Sequence, residues 1–574
     1  MRTAPEIVGC ISWCSDHAAR FRCPKMAIFD NWLAYDLCMS TDTELTTGLD
    51  AQASYAAMKS HDARFDGRFF VGVSSTGIYC RPVCRVKLPK FENCTFYAHA
   101  ALAETAGYRP CLRCRPEMAP RHLPWTTQDA SRTLALQAAR CLDNPDFWHT
   151  DSPRVNQLAA HLGVSDRHLR RLFAAHFGVS PLQYLQTRRL LTAKQLLTDT
   201  RMPIAQVALH SGFASVRRFS SAFISNYRLQ PSAVRRAVQA DTNKVLGSEV
   251  HSKTFSTVKL SYRPPYDVQA MLAFFQKRCI TGIEFVTLTA QQQEQQLAGW
   301  TLSIESENKS HTGWVVVEFQ PTDNHVMLQL SDTLRPVLTT VIRRVRDLLD
   351  LDADPMAINA VLGNSFDTRG ESNGLRVPGC LNGFELAVRA ILGQQVTVAA
   401  GRIFVQRLVD AFGDPIESPY PVLNRLFPSA ERIAQLNAED LGQLGIVTQR
   451  QNAILALAKA VNNKQLNLSP SANLAETVHA LHNLPGVGDW TAQYIAMRAL
   501  RWPDAFVAGD VAVHKAMGLL QHSPKLSATK LSAGAELASQ LWRPWRSYAV
   551  MRAWTSLEKQ QAESKSNAIN IIAS

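Results

Sequence analysis

Residues 77–87 read Gly-Ile-Tyr-Cys-Arg-Pro-Val-Cys-Arg-Val-Lys, and residues 108–116 read Tyr-Arg-Pro-Cys-Leu-Arg-Cys-Arg-Pro. They set Cys80 and Cys84 as one short-range pair and Cys111 and Cys114 as another, with 26 residues between the pairs. Each pair can project from a single turn, and four thiolates converging in this way match a tetrahedral Zn2+ site. By spacing alone, the commoner meaning of such a site is a staple for a small domain. The twelve cysteines are unevenly spread, and only Cys279 and Cys380 lie beyond residue 141. That clustering suits a metal centre better than a disulfide framework. Cys94 is at no ligand position of the pattern and reads as a small buried apolar residue.

The chain around this cluster is long and basic. Its 574 residues exceed what one hydrophobic core serves, so three to five domains are expected. With 46% hydrophobic and 19% charged residues it has ordinary globular composition. A net charge of +13 and a pI near 9.2 favour a polyanionic partner, because each phosphate contact releases condensed counterions. No apolar run approaches the roughly 20 residues of a spanning helix, so no membrane partner is expected. The first fifty residues show no charged segment leading into an apolar one, so a cytoplasmic location is expected.

Across about Asp62–Glu117, ligand spacing and flanking residues together resemble the zinc domain of the Ada family. The resemblance implies that Cys80 is both ligand and methyl acceptor, and that DNA methylphosphotriesters donate the methyl group. Zinc keeps a bound thiol deprotonated and nucleophilic at neutral pH. A centre with four thiolates carries a formal charge of −2, so methylating one sulfur removes repulsion toward DNA. Arg81, Arg85, Lys87, Arg109, Arg113 and Arg115 offer phosphate contacts around it. Lys87 stands where the family usually has Arg, which keeps the charge and loses the bidentate geometry.

Next along the chain, residues 155–180 read VNQLAAHLGVSDRHLRRLFAAHFGVS. An apolar face at Leu158, Ala159 and Leu162 leads to a turn at Gly163, and Leu169, Leu172 and Phe173 line the next helix. Ser165 is placed to cap that helix. The unit recurs: Val207, Ala208 and Gly212 lie 49 residues after Leu158, Ala159 and Gly163, and Phe223, Tyr227 and Pro231 lie 50 after Phe173, Phe177 and Pro181. The pair resembles the AraC-type helix-turn-helix domain over about Thr127–Arg236. Candidates for DNA contact are Arg167, His168, Arg170 and Arg171 in the first unit and Ser215, Arg217 and Arg218 in the second.

Beyond a polar, aperiodic stretch, Phe255–Tyr262, Trp314–Phe319 and Val326–Leu330 read as strands. Leu334–Leu349 reads as a helix with Arg343, Arg344 and Arg346 outside. Residues 484–492, Leu-Pro-Gly-Val-Gly-Asp-Trp-Thr-Ala, form a hairpin opening a helix, and Gly486 and Gly488 would let the backbone approach a phosphate. Asp510 follows 22 residues after Gly488. With the landmarks Tyr262–Asp267, Arg389–Gln394 and Arg543–Tyr548, this half resembles the AlkA branch of the helix-hairpin-helix glycosylases over about Lys253–Trp554.

That resemblance makes Asp510 the carboxylate that stabilises positive charge on the deoxyribose. Trp490, Tyr494 and Trp554 would stack on a flipped, electron-poor base. Trp490 occupies the place where lyase-competent relatives carry a lysine, so hydrolysis without strand cleavage is implied. Gln395 stands where the family's leucine wedge fills the vacated stack, and it can hydrogen-bond the orphan base instead.

The expected fold is multidomain, mainly α with α+β parts: a small four-cysteine zinc domain, an all-α double helix-turn-helix, an α+β domain and an all-α helix-hairpin-helix domain. The expected limits are an undetermined extension at 1–55, then domains at 56–125 and 126–236. A linker at 237–252, domains at 253–370 and 371–560, and a tail at 561–574 complete the chain. The function implied is alkylation repair with transcriptional control, using Zn2+ and double-stranded DNA at alkylated and promoter sites. RNA polymerase as partner, a monomeric state and a bacterial, nucleoid-associated setting go with it. The alternative is a methylation-responsive transcription factor whose inactive glycosylase fold is a DNA clamp, against which the intact Asp510, Trp490 and Tyr494 argue. An alkylguanine methyltransferase is disfavoured, since no Pro-Cys-His-Arg segment occurs.

Overall fold

The computed structural model describes residues 51–62, 65–119, 130–143, 155–200, 202–236, 255–287, 296–306, 309–366, 372–522 and 527–573. The expected linker at 237–252 and the first fifty residues lie outside that set.

The four-cysteine domain opens with helix α1 (Ala51–Lys59), whose Ala57 and Met58 pack on Phe69 and Val71. The expected limit at 55/56 therefore falls inside a helix, because the apolar face that anchors α1 lies in its second half. A four-stranded sheet follows, in the order β3 (Cys94–Tyr97), β1 (Phe70–Val73), β2 (Ile78–Cys80), β4 (Arg109–Pro110). β1 pairs antiparallel with both β2 and β3, whereas β2 and β4 run parallel, with Ile78 opposite Arg109 and Tyr79 opposite Pro110. Helix α2 (Ala100–Thr105) bridges β3 and β4. Cys94 is half-buried beside the α1 cluster, and its Sγ donates to the Lys90 carbonyl at 3.3 Å.

Helices α3 (Ala130–Asp143), α4 (Val155–His161), α5 (Asp166–Phe177), α6 (Pro181–Asp199), α7 (Ile204–His210) and α8 (Val216–Tyr227) form the double helix-turn-helix. Its repeat is exact in chemistry at the second helix of each unit. Ser165 Oγ accepts the His168 N–H and Ser215 Oγ accepts the Arg218 N–H, both at 3.2 Å. The turns between paired helices need a left-handed residue, supplied by Gly163 (φ 68°) and Gly212 (φ 82°). Ser215 thus serves as a cap, and its hydroxyl proton is still available for donation.

The next domain is a five-stranded antiparallel sheet in the order β5 (Phe255–Ser261), β9 (His325–Ser331), β8 (Lys309–Gln320), β7 (Leu297–Ser306), β6 (Glu284–Val286). Sequence reading missed β6 and β7. Yet β7 carries a strand signal, since apolar and polar residues alternate from Trp300 to Glu305. Helices α9 (Val268–Gln276), α10 (Leu338–Leu348) and α11 (Pro355–Leu362) complete the domain. The expectation for α10 needs correction. Arg346 is buried against Asp352, and Arg343 pairs with Asp347 at 3.1 Å, so both lie within the protein. Buried charges of this kind persist only when paired.

The C-terminal part is helical. It includes α12 (Gly383–Leu392), α13 (Val398–Phe412), α14 (Thr448–Asn462), α15 (Leu474–His482), α16 (Asp489–Arg498), α17 (Val511–Ala516) and α18 (Arg546–Ala573). α18 runs through the expected tail at 561. The four-cysteine domain and the five-stranded-sheet domain meet directly. Arg68 Nη2 donates to both carboxylate oxygens of Asp354, at 2.6 and 2.7 Å, and Arg263 Nε donates to the Asp66 carbonyl at 3.1 Å.

Candidate functional sites

The first site is built by the parallel pairing of β2 and β4. Cys80 ends β2, and the Cys111 N–H continues the ladder to the Tyr79 carbonyl at 3.0 Å. A turn closed from the Cys84 N–H to the Arg81 carbonyl returns Cys84 to the same point. The four Sγ atoms lie within 4.8 Å of one another. Sulfurs at zinc–sulfur bonds of about 2.3 Å stand just under 4 Å apart in a tetrahedron, so this donor set fits Zn2+. Burial does not single out Cys80, since Cys80, Cys84 and Cys111 are each about 5–6% exposed.

The surrounding cations divide into two groups. Arg85, Lys87 and Arg113 are exposed and Arg109 is half-buried, whereas Arg81 and Arg115 are committed to the fold. Arg81 pairs with Asp66 through two nitrogens, and its backbone N–H points at Cys114 Sγ at 3.3 Å. Arg115 is held by Glu117 at 3.0 Å and Asp199 at 2.6 Å. Both were expected at phosphates; their carboxylate partners inside the protein leave them no free fork to offer. Lys194 of α6, fully buried, donates to the Cys111 carbonyl at 3.1 Å and pairs with Glu117, which bolts the helix-turn-helix to the cysteine knuckle. On the helix-turn-helix itself Arg167, Arg171, Arg217 and Arg218 are exposed. His168 is half-exposed within 3.2 Å of Arg171, and Arg170 is paired with Asp166 at 3.0 Å.

The second site is a cavity of about 520 Å3 between α9, α12, α13, α16 and α18. Asp510 stands on its wall as the cap of α17. Its Oδ1 accepts the Val513 N–H at 2.9 Å and the Trp554 indole N–H at 3.2 Å, and its Oδ2 accepts the Trp490 indole N–H at 2.9 Å. Three donors thus hold the carboxylate in one orientation. The Trp490 ring lies parallel to Tyr494, with centroids 5.1 Å apart, and Tyr494 meets Trp554 at 6.3 Å. The hairpin before α16 places Gly486 at φ 75°, close to Ala453, and leaves the Cβ position of Gly488 open.

Gln395 is exposed, at φ 54°, on the turn after α12, and it does not line the cavity. Its neighbour Gln394 ties that turn to the hairpin, donating to the Gly486 carbonyl and Thr491 hydroxyl at 2.9 Å each. Sequence reasoning missed Arg278, Glu385 and Arg498, which also line the cavity. Arg389 had been noted only as the start of a helix landmark. Arg278 has no local signal at all, being a lone arginine just past an apolar helix.

Comparison with known proteins accords with this geometry. Four family profiles match: the metal binding domain of Ada at 53–117 and a helix-turn-helix domain at 158–237, then the AlkA N-terminal domain at 257–382 and the HhH-GPD superfamily of base excision DNA repair proteins at 388–544. One relative aligns over nearly its whole length, a "Probable bifunctional transcriptional activator/DNA repair enzyme AlkA" of Mycobacterium tuberculosis. It is 35% identical over 515 residues, covering 89% of this chain and 97% of its own length. The chain belongs to this AlkA family of fused activator and repair proteins. Shorter relatives match the halves of this family architecture separately. "DNA-3-methyladenine glycosylase 2" of Escherichia coli is 30% identical over 51% of this chain and 95% of its own length. "Bifunctional transcriptional activator/DNA repair enzyme Ada" of the same organism is 32% identical over 29% of this chain and 44% of its own length. DNA is the common ligand of these domains.

Proposed function

We propose that this chain repairs alkylated DNA by two chemistries and regulates transcription through its helix-turn-helix units. The observation that carries the enzymatic part is the Asp510 carboxylate, fixed by Trp490, Trp554 and the start of α17 on the wall of a cavity large enough for a flipped base. Breaking an N-glycosidic bond develops positive charge on the deoxyribose, and Asp510 is placed to stabilise it and to orient the attacking water. Bases such as 3-methyladenine and 7-methylguanine are already cationic and leave without a strong general acid. Trp490 and Tyr494 offer them a stacking wall. Residue 490 carries no amine, so the site hydrolyses without forming a Schiff base. Gly486 and Gly488 hold the DNA backbone, and Gln395, on the turn tied to that hairpin, enters the stack beside the flipped nucleotide.

Cys80, Cys84, Cys111 and Cys114 would hold Zn2+, which keeps its thiol ligands deprotonated at neutral pH. Cys80 is the acceptor. Its sulfur bonds to the methyl carbon of a DNA methylphosphotriester, the methyl C–O bond breaks, and the phosphodiester anion leaves. Arg85 and Lys87 contact the adjacent backbone, and Arg167, His168, Arg171, Arg217 and Arg218 contact promoter DNA. The setting is the bacterial cytoplasm at the nucleoid, as a monomer that engages RNA polymerase at its promoters. Among the described residues no helix is long and apolar enough to cross a membrane.

Mass spectrometry of bases released from methylated duplex DNA tests the enzymatic reading. Asp510→Asn should lower release of 3-methyladenine by about 100-fold or more while leaving binding to alkylated DNA intact. Undiminished turnover would overturn the assignment and leave a DNA clamp in its place.

A further inference from the structure

Helix α2 of the four-cysteine domain touches the same place on both helix-turn-helix units. Phe177 and Tyr227 are the last residues of α5 and α8, and they stand 50 positions apart, at equivalent points of the repeat. The His99 ring, just before α2, packs on Phe177 with ring centres 5.3 Å apart. Gly178 leaves room for the Leu102 side chain of α2, since a Cβ there would stand 2.7 Å from Leu102 Cδ2. At the other unit the contact is polar. The Tyr227 hydroxyl donates to Glu104 Oε1 at 3.2 Å. The same oxygen accepts the Tyr79 hydroxyl at 3.0 Å, and Oε2 accepts the Thr187 hydroxyl at 3.0 Å.

Glu104 thereby ties three elements together through hydroxyls that are all on buried residues. Tyr79 precedes Cys80 on β2, Thr187 lies on α6 between the two units, and Tyr227 ends the helix that carries Arg217 and Arg218. α8 also packs on β4, whose Pro110 precedes Cys111. Burial pushes the Glu104 carboxyl up to about 7, and the Tyr79, Thr187 and Tyr227 hydroxyls pull against that rise. Lys194, the cation that acts on Glu104 from a distance, is itself taken by Glu117. The Lys194 bolt holds the cysteine knuckle to α6; Glu104 is what adds α8.

Such a clasp matters because charge acts over a short range. Methylating Cys80 removes one negative charge from the centre, and at physiological salt that change is felt over about 8 Å. A zinc domain on a loose tether would swing away from DNA held by α5 and α8, and the charge on its sulfurs would not alter affinity. A domain clasped to the ends of both helices is held where its charge counts. We infer that Glu104 is a positioning residue that fixes the zinc centre beside both helices, so that methylation of Cys80 is read as a change in DNA affinity. The inference rests on the reading of Cys80 as the methyl acceptor.

The test uses the full-length, zinc-loaded protein before and after methylation on methylphosphotriester DNA, with one added methyl per chain confirmed by intact mass. The probe is a duplex selected from a random-sequence pool by the methylated parent, and affinity is measured across a salt series. In the parent, methylation should raise affinity about 10-fold at low salt and steepen the slope of log K against log salt by about 1. Glu104→Ala removes all three hydroxyl contacts and should cut that gain to about 3-fold. Tyr227→Phe keeps the buried ring and removes one hydroxyl, so its gain should fall between the two, and it decides the matter if Glu104→Ala does not fold. Base release should be unchanged in both variants. A residue that only packs would lower the affinity of both forms alike and keep their ratio, which would overturn the inference. A parent that shows no gain on methylation would overturn the signalling reading of Cys80 as well.

Discussion

In the four-cysteine domain every reacting and supporting sulfur comes from residues 80–114, gathered by one parallel strand pair and two turns. Around Asp510 the parts come from residues 270 to 561, on five helices and the start of a sixth. The two sites also differ in what happens to the reactive atom. Cys80 is itself a proposed ligand, so accepting a methyl group changes the centre that holds it, and the site is used once. Asp510 is held by neutral N–H donors that are unchanged when the base leaves, so it can turn over. A site that is consumed can report damage, and a site that is restored can clear it.

The largest test of this contrast crosses the two sites. Cys80→Ala should abolish transfer of labelled methyl from phosphotriester DNA to the protein and leave base release unchanged. Label still arriving on the protein would move the acceptor to another cysteine. Coupled loss of both activities would dissolve the contrast. A smaller effect is expected at the bolt between the cysteine knuckle and α6. Lys194→Met removes one of the two cations on the buried Glu117 and leaves it Arg115, a change of about 1.5–3 kcal/mol. Thermal unfolding of the regulatory half should shift downward while 3-methyladenine release at low temperature persists; an unshifted transition would show that Lys194 is not part of the bolt. The smallest effect sharpens the Asp510 side. Trp554→Phe keeps a ring on the cavity wall and removes one N–H donor to the carboxylate, for about a 10-fold fall in the rate of base release. A KM change without a fall in kcat would make Trp554 a stacking residue only.

The difference in span also explains what could be read early. The cysteine pairs, Ser165, the repeat spacing and the Gly486–Gly488 hairpin are local patterns, and each acts through neighbours a few residues away. Boundaries were less legible. α1 begins before the expected limit at residue 56, and α18 continues past 560, because both ends are decided by what the helix packs against. The arginines show the same limit. Arg81, Arg115, Arg343 and Arg346 looked like surface cations, and each is held by an acidic partner brought in by the fold.

From sequence alone came the four-cysteine cluster of Cys80, Cys84, Cys111 and Cys114, the two helix-turn-helix units, and Asp510 as the carboxylate to watch. Those rest on residue chemistry at short spacing, where the backbone leaves few choices. Tertiary structure decided that Trp490 and Trp554 aim their N–H groups at Asp510, that Gln395 lies outside the cavity, and that Arg278 and Arg498 converge on the Tyr494 hydroxyl. These are contacts between residues 20 to more than 200 positions apart. Such contacts are set by how helices and sheet pack, which no short stretch of the chain encodes.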